Sequence, residues 1–413
     1  LPSYATFTDN GDGTGSVVIS PQTGDAENVS ATISVTDGTD SSSKSFAINV
    51  SAPGQSNGGT YYIDPVSGNN GNDGSAANPW ASIQPTSIQN GDLVYLASGN
   101  YGNVYIGNMS RTQDVTFKAL SGNTPVFAKM TLDNCQHLVF DGITIDASTA
   151  GGMGKEEFML VGNSATNNIT LKNCTLKSAD DISTWTKADW YSNVASGVDF
   201  RGGNITLENN LFTNVYHAVS LRGDYSFMAN NTIDNFAGDA IRGLGSFSTY
   251  EYNIVRDCYI NDYAIQHDDG FQAYKLDGDL KIQNVTLRYN QFLLFEDPIT
   301  QFVVDNELIG NLMQGVIITD GYGDGWVVEN NLVMNDQTHG ITLYGARNCR
   351  VQNNTVIQHP YYTDSDLVPW ISCLAQGKTG QQNFDNIIRN NIAAKFTTWT
   401  FDATSTVEGN VDV

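Results

Sequence analysis

One short frame recurs along this chain: a small residue, then an apolar one, any residue, an apolar one, and any residue again. Its copies begin Gly197-Val198-Asp199-Phe200-Arg201, Ala218-Val219-Ser220-Leu221-Arg222 and Ala240-Ile241-Arg242-Gly243-Leu244. They continue with Gly270-Phe271-Gln272-Ala273-Tyr274, Gly315-Val316-Ile317-Ile318-Thr319 and Gly340-Ile341-Thr342-Leu343-Tyr344. A strand that returns every roughly 20–30 residues marks a stacked repeat, in which each unit buries its apolar face against its neighbours. Asn-rich turns follow most copies, with Asn-Asn pairs at 209–210, 230–231, 330–331, 353–354 and 390–391. Asparagine tolerates left-handed backbone angles, and its amide can bond to the turns above and below. An asparagine ladder inside a coil is expected. Helical periodicity is nearly absent.

The fold class expected is therefore all-β, a right-handed parallel β-helix over residues 60–413. Residues 1–52 differ: they alternate polar with apolar at 15–20, 29–35 and 44–50, with turn signals such as Asn10-Gly11 and Asp37-Gly38 between. They are similar to Ig-like or cadherin-like modules, although short for a complete sandwich. Residues 53–59 have linker composition. The segment Tyr61-Tyr62-Ile63-Asp64-Pro65 through Gly91-Asp92-Leu93-Val94-Tyr95 resembles the opening of parallel β-helix polysaccharide lyases and related enzymes. That resemblance implies a cap over the first coil, where the stack would otherwise end in an open edge. Two steps between frames are long, and loops are expected around residues 250–266 and 293–307.

The formal net charge of −24 repels nucleic acid and anionic membrane, so neither is an expected partner. No run of about 18 apolar residues suggests a membrane span. Cys135, Cys174, Cys258, Cys349 and Cys373 show no CxxC spacing, and four follow Asn or Asp. Buried thiols stacked along one side are expected rather than zinc or disulfides. A trimmed secreted, extracellular bacterial protein acting as a monomer is the expected context.

Function is sought on the outer face of the repeat. The position before the small residue reads Ser196, His217, Asp239, Asp269, Gln314, His339 down the stack. The next outward column reads Asp199, Ser220, Arg242, Gln272, Ile317, Thr342, and the third Arg201, Arg222, Leu244, Tyr274, Thr319, Tyr344. Adjacent turns lie about 4.8 Å apart, so His217, Asp239 and Asp269 are expected as neighbours. His267-Asp268-Asp269-Gly270-Phe271 and Lys275 concentrate acid, imidazole and amine in one stretch. Three carboxylates at Asp239, Asp268 and Asp269 need relief of their repulsion by a cation, by an arginine such as Arg242, or by a retained proton.

Asp239 and Asp268-Asp269-Gly270-Phe271 resemble the calcium motif of the family-nine pectate lyases, with Gln272 where that family has a further Asp. The resemblance implies Ca²⁺ on Asp239, Asp268 and Asp269, and β-elimination from a uronate-containing polysaccharide. Catalytic roles would fall to Lys275, Arg242, Arg222, His267 and Asp269. Substrate would rest on Arg201, His217, Gln272, Tyr274, His339 and Tyr344. Asp239, Asp268-Asp269 and His339-Gly340 also resemble the family-twenty-eight polygalacturonases, which implies hydrolysis with the same carboxylates as acid and base. A β-helix that only binds glycan is the third reading.

Overall fold

The structure is a computed structural model. It describes every residue except 10, 12–13, 21–26, 37–40, 51–57, 152, 187, 260–267, 276–277, 279, 296–302, 305–306, 309–312, 361–366 and 398–400. From residue 60 onward the described chain winds into parallel sheets. The broadest has thirteen strands in chain order, from Thr60–Ile63 and Leu93–Leu96 to Ile387–Arg389 and Thr406–Glu408. The opening segment thus supplies the first two rungs of this sheet. Trp80 is buried there, stacked on Tyr61 at 4.6 Å between ring centres.

The repeated frame forms a second parallel sheet. Its strands are β1 (Ser196–Phe200), β2 (Val219–Leu221), β3 (Ile241–Gly243) and β4 (Asp269–Ala273). Next come β5 (Gln314–Ile318), β6 (His339–Tyr344) and β7 (Trp370–Leu374). Each pairs with the next in chain order, with Val198, Val219, Ile241, Phe271, Val316, Ile341 and Ile371 in register. A third sheet runs from Thr144–Asp146 to Val411–Asp412, and Pro125–Asp133 pairs with both it and the frame sheet. Apolar side chains fill the interior. Phe271 meets Tyr250 and Trp326 edge-on at 4.9 and 6.2 Å, and all three are fully buried. Each such ring contributes roughly 1.5–3 kcal/mol of burial.

The asparagine ladder is present. Asn210, Asn231, Asn253, Asn290, Asn331, Asn354, Asn391 and Asn410 stack so that each Oδ1 after the first accepts the preceding rung's backbone N–H and Nδ2, at 2.9–3.0 Å. Within each Asn-Asn pair the two residues divide the work. The first takes the left-handed angle, as Asn230 does at φ 56°, and the second forms the rung.

The cysteines are buried and free. They do not form one column: the Cys174 N–H bonds to Asn210 of the ladder, whereas the Cys349 N–H bonds to Asn386. Ahead of the coil, the described residues of 1–50 include two antiparallel pairs, Ala5–Asp9 with Gly15–Ile19 and Glu27–Thr36 with Ser41–Val50. The loop expected from residue 250 begins later. Thr249–Glu251 and Ile254–Cys258 are rungs of the coil, and residues 260–267 lie outside the described set. Among the described residues no helix is long and apolar enough to cross a membrane.

Candidate active site

The frame departs from simple alternation at its start. A Cβ on Gly270 would meet the ring of buried Phe292 at 2.8 Å, so the small residue faces inward, and so does Phe271 after it. With two consecutive inward residues, the positions before and after them share the outer face. Each turn therefore presents a pair of side chains three residues apart. Asp239 Oδ2 accepts from Arg242 Nε at 2.6 Å, Asp269 Oδ2 accepts from Gln272 Nε2 at 2.5 Å, and His339 Nδ1 lies 3.0 Å from Thr342 Oγ1.

Pairing of β4 with β5 sets Asp269 against Gln314, and the registers on either side place His217, Asp239, Asp269, Gln314 and His339 in one column. This is the order read from the sequence. His217 Nδ1 accepts the Asp239 backbone N–H at 2.8 Å and stands 3.7 Å from Asp239 Oδ2. Burial is the chief influence on its imidazole and pushes it down to about 4, against the pull of Asp239. His217 is neutral near pH 7, accepting rather than donating at Nδ1.

The His217 end of this column is flanked by an apolar cluster. Trp190 and Val194, on and after the short helix Asp189–Ser192, pack with Tyr216 and Ala237 in a satellite apolar cluster. Lys155 lies 5.1 Å from the Tyr216 ring centre, and its carbonyl accepts from Ser196 Oγ. No repeat position marks Lys155, which precedes the strand Phe158–Gly162, the rung above β1. Only its place among scarce cations could have drawn notice to it.

The lower end opens. A cavity of about 440 Å³ is lined by Gln314, Ile317, Thr319, His339, Tyr344 and Lys378, among others. Gln314 is 6% exposed, and its Oε1 has no hydrogen-bond partner among the described residues. His339 packs edge-on against Trp370 at 5.6 Å. The groove therefore starts one strand below Asp269.

Asp268 is fully buried, with Oδ2 3.9 Å from Cys258 Sγ and Oδ1 unbonded among the described residues. Burial first, then the charges of Asp239 and Asp269, push its carboxyl well above the usual range. Of the three relief routes, one is visible as a contact, Arg242 on Asp239, and burial of Asp268 favours a second, a retained proton. The residues do not fit a shared calcium cradle. Asp239 and Asp269 are engaged by Arg242 and Gln272, and Asp268 faces a thiol. Among the described residues no three His, Cys, Asp or Glu side chains are grouped to hold a metal.

The remaining expected residues are dispersed. Asp199 pairs with Arg222 Nε at 2.6 Å and with Arg201 at 3.5 Å, so Arg222 sits two strands above Asp269. Lys275 Nζ donates to the Lys281 carbonyl at 3.3 Å, beyond the end of β4, which does not bring it to Asp269. Tyr274 follows β4, and Tyr344 lines the groove, its phenol raised by burial. His267 lies outside the described residues.

A further buried acid stands near Cys258. Asp336 is fully buried, and burial pushes its carboxyl up to about 8. A carboxyl with a raised folded-state value stabilises less as pH rises above the unfolded value near 4. Asp336→Asn should therefore match the parent in stability near pH 4 and gain on it progressively toward pH 8–9, as thermal melts across that range would register.

A family model described as right handed beta helix region matches residues 196–392, and the chain is a right-handed parallel β-helix. No curated protein matches it. Among solved structures it is similar to a GH136 lacto-N-biosidase from Eubacterium ramulus, at 12% identity, covering 86% of this chain and 68% of that one, with a TM-score of 0.46. It is also similar to a family 28 exopolygalacturonase from Yersinia enterocolitica, at 10% identity, 97% and 85% coverage and a TM-score of 0.48. Pectate lyase Pel9A follows at 14% identity, 85% and 79% coverage and a TM-score of 0.39. Likeness at these levels concerns the fold alone.

Proposed function

We propose that this chain cleaves a polysaccharide laid along the outer face of the frame sheet, by acid–base hydrolysis between β3 and β5. The observation that carries the reading is the column Asp239–Asp269–Gln314, which runs from two carboxyls into a groove whose buried Gln314 amide oxygen has no partner among the described residues. Two carboxyls flanking one bond can divide proton donation and water activation. Asp239, held by the Arg242 guanidinium at 2.6 Å, is the base that activates water. Asp269, beside the neutral Gln272 amide and the groove, is the proton donor. Asp268 keeps a proton in the cluster and limits its charge. Tyr344 and His339 offer ring faces and polar edges to sugar units below the cleavage point.

β-Elimination on a uronate polymer is the second reading. It is favoured by Arg201, 61% exposed at its side chain, at the upper end of the same face. Secretion belongs with either reading, since the polymer lies outside cells. The enzyme incubated with pectate, alginate, glycosaminoglycans and neutral glucans is expected to release reducing ends without ultraviolet-absorbing product, and to be unaffected by chelator. Product absorbing in the ultraviolet, lost on chelation and restored by Ca²⁺, would overturn hydrolysis in favour of elimination. No product from any polymer would leave a glycan binder.

A further inference from the structure

The broad sheet has a column of left-handed residues at the entrance to its strands. From the fourth strand down it reads His137, Asn168, Asn204, Tyr225, Phe247, Asn284, Gly325, Asn348 and Asp385, with φ between 52° and 69°. Asn, Asp and Gly are the residues that adopt this conformation cheaply, and a bulky side chain there is strained. Tyr225 and Phe247 break the rule side by side. Their rings stack at 5.0 Å and 10°, and they are 58% and 36% exposed. At the exit of the strands a second such column is Asn-rich, except at Tyr252 and Tyr289. These also stack, at 4.9 Å and 10°, and stand open to solvent. The rings are at least a third exposed, so stacking within each pair is the main packing return they have. Backbone strain held against so little burial points to function.

The chemistry beside the first pair is that of a sugar site. A cavity of about 340 Å³ is lined by Tyr225, Asn168, Asn204, Thr170 and Thr206. Its charged lining residues, Asp114 and His137, face each other at 3.1 Å. An aromatic face with convergent amides and hydroxyls suits a ring that is apolar on its faces and hydroxylated at its rim. Phe247 and Tyr252 flank one strand, Thr249–Glu251, so their Cα atoms are separated by roughly 16 Å at the usual rise per residue. That is the reach of a short oligosaccharide crossing the sheet.

We propose that this face of the broad sheet is a second glycan-binding surface, which holds a neutral polysaccharide against Tyr225 and Phe247 at one edge and Tyr252 and Tyr289 at the other. The neutral class follows from the lining: its one acid and one imidazole are paired, and the chain's charge of −24 opposes a polyanion. The surface lies on a different sheet from the acidic column, so it anchors polymer independently of cleavage.

The test uses the full chain in native gels containing arabinoxylan, glucomannan or galactan, with alginate and polygalacturonate as the anionic arm. At least one neutral polymer should retard the protein. Tyr225→Asn with Phe247→Asn, and separately Tyr252→Asn with Tyr289→Asn, install the residue the rest of each column uses. Each double variant is expected to fold with unchanged or higher melting temperature and to weaken retardation at least tenfold. Should either fail to fold, Thr206→Arg, which fills the cavity from the strand, is expected to abolish retardation instead. The proposal is overturned if no neutral polymer retards the protein, if only the anionic polymers do, or if the folded variants are retarded as strongly as the parent.

Discussion

Asparagine in place of Asp269 is expected to cut the release of reducing ends by roughly 10²–10⁴-fold, the range that removal of one positioned proton donor or acceptor commands. The change is nearly isosteric, and a flipped Gln272 amide can still bond to the new side chain, so the melting temperature should barely move. Asp239→Asn is expected to be equally inactive but also less stable. It leaves the Arg242 guanidinium, whose side chain is 20% exposed, without its 2.6 Å carboxylate partner. The comparison separates chemistry from support. If Asp269→Asn retains more than a tenth of parental activity on every polymer that the parent cleaves, the column is structural and the reaction lies elsewhere.

Asn253→Ala, in the middle of the ladder, should produce a large loss of stability. Its amide accepts from the Asn231 backbone and side chain, and donates to the Met228 carbonyl and to Asn290 Oδ1, each at 3.0 Å. All of this is fully buried. Each buried group left unsatisfied costs about 1–3 kcal/mol, so a loss of at least about 3 kcal/mol is expected. Asn410→Ala, at the partly exposed last rung, should cost less, because water can reach the Asn391 groups it releases. Denaturant melts of the two variants would check the contrast. Equal losses would mean that the rungs act through something other than burial of the amide.

The repeat, the inward residues and the order of the outer column were legible because a coil imposes them through spacing alone. The small residue at the head of the frame revealed which positions align, and the registers of β1 through β6 follow it. What those side chains do was less legible. Pairing of Asp239 with Arg242 depends on two consecutive inward residues, which strict alternation does not predict. Lys155 and the apolar cluster around Trp190 come from segments outside the frame, and nothing in a sequence spacing says that they pack beside it. Lys275 is adjacent to the motif along the chain, yet the strand carries it away from Asp269. The aromatic residues at left-handed corners were hidden for a related reason: only the backbone angles reveal that Tyr225 stands where asparagine would be expected.

Successive ladder rungs are separated by 21, 22, 37, 41, 23, 37 and 19 residues, yet the contact between them hardly changes. Height in the stack is thus uncoupled from contour length. A coil can lengthen by half or more and hand its neighbour the same amide, at the same place, facing the same way. The two adjacent long intervals, ending at Asn290 and Asn331, fall where β4 and β5 carry Asp269 and Gln314. Sequence can be inserted or exchanged there without the ladder registering it, so the strands that carry Asp269 and Gln314 keep their height while the chain between them is free to diverge.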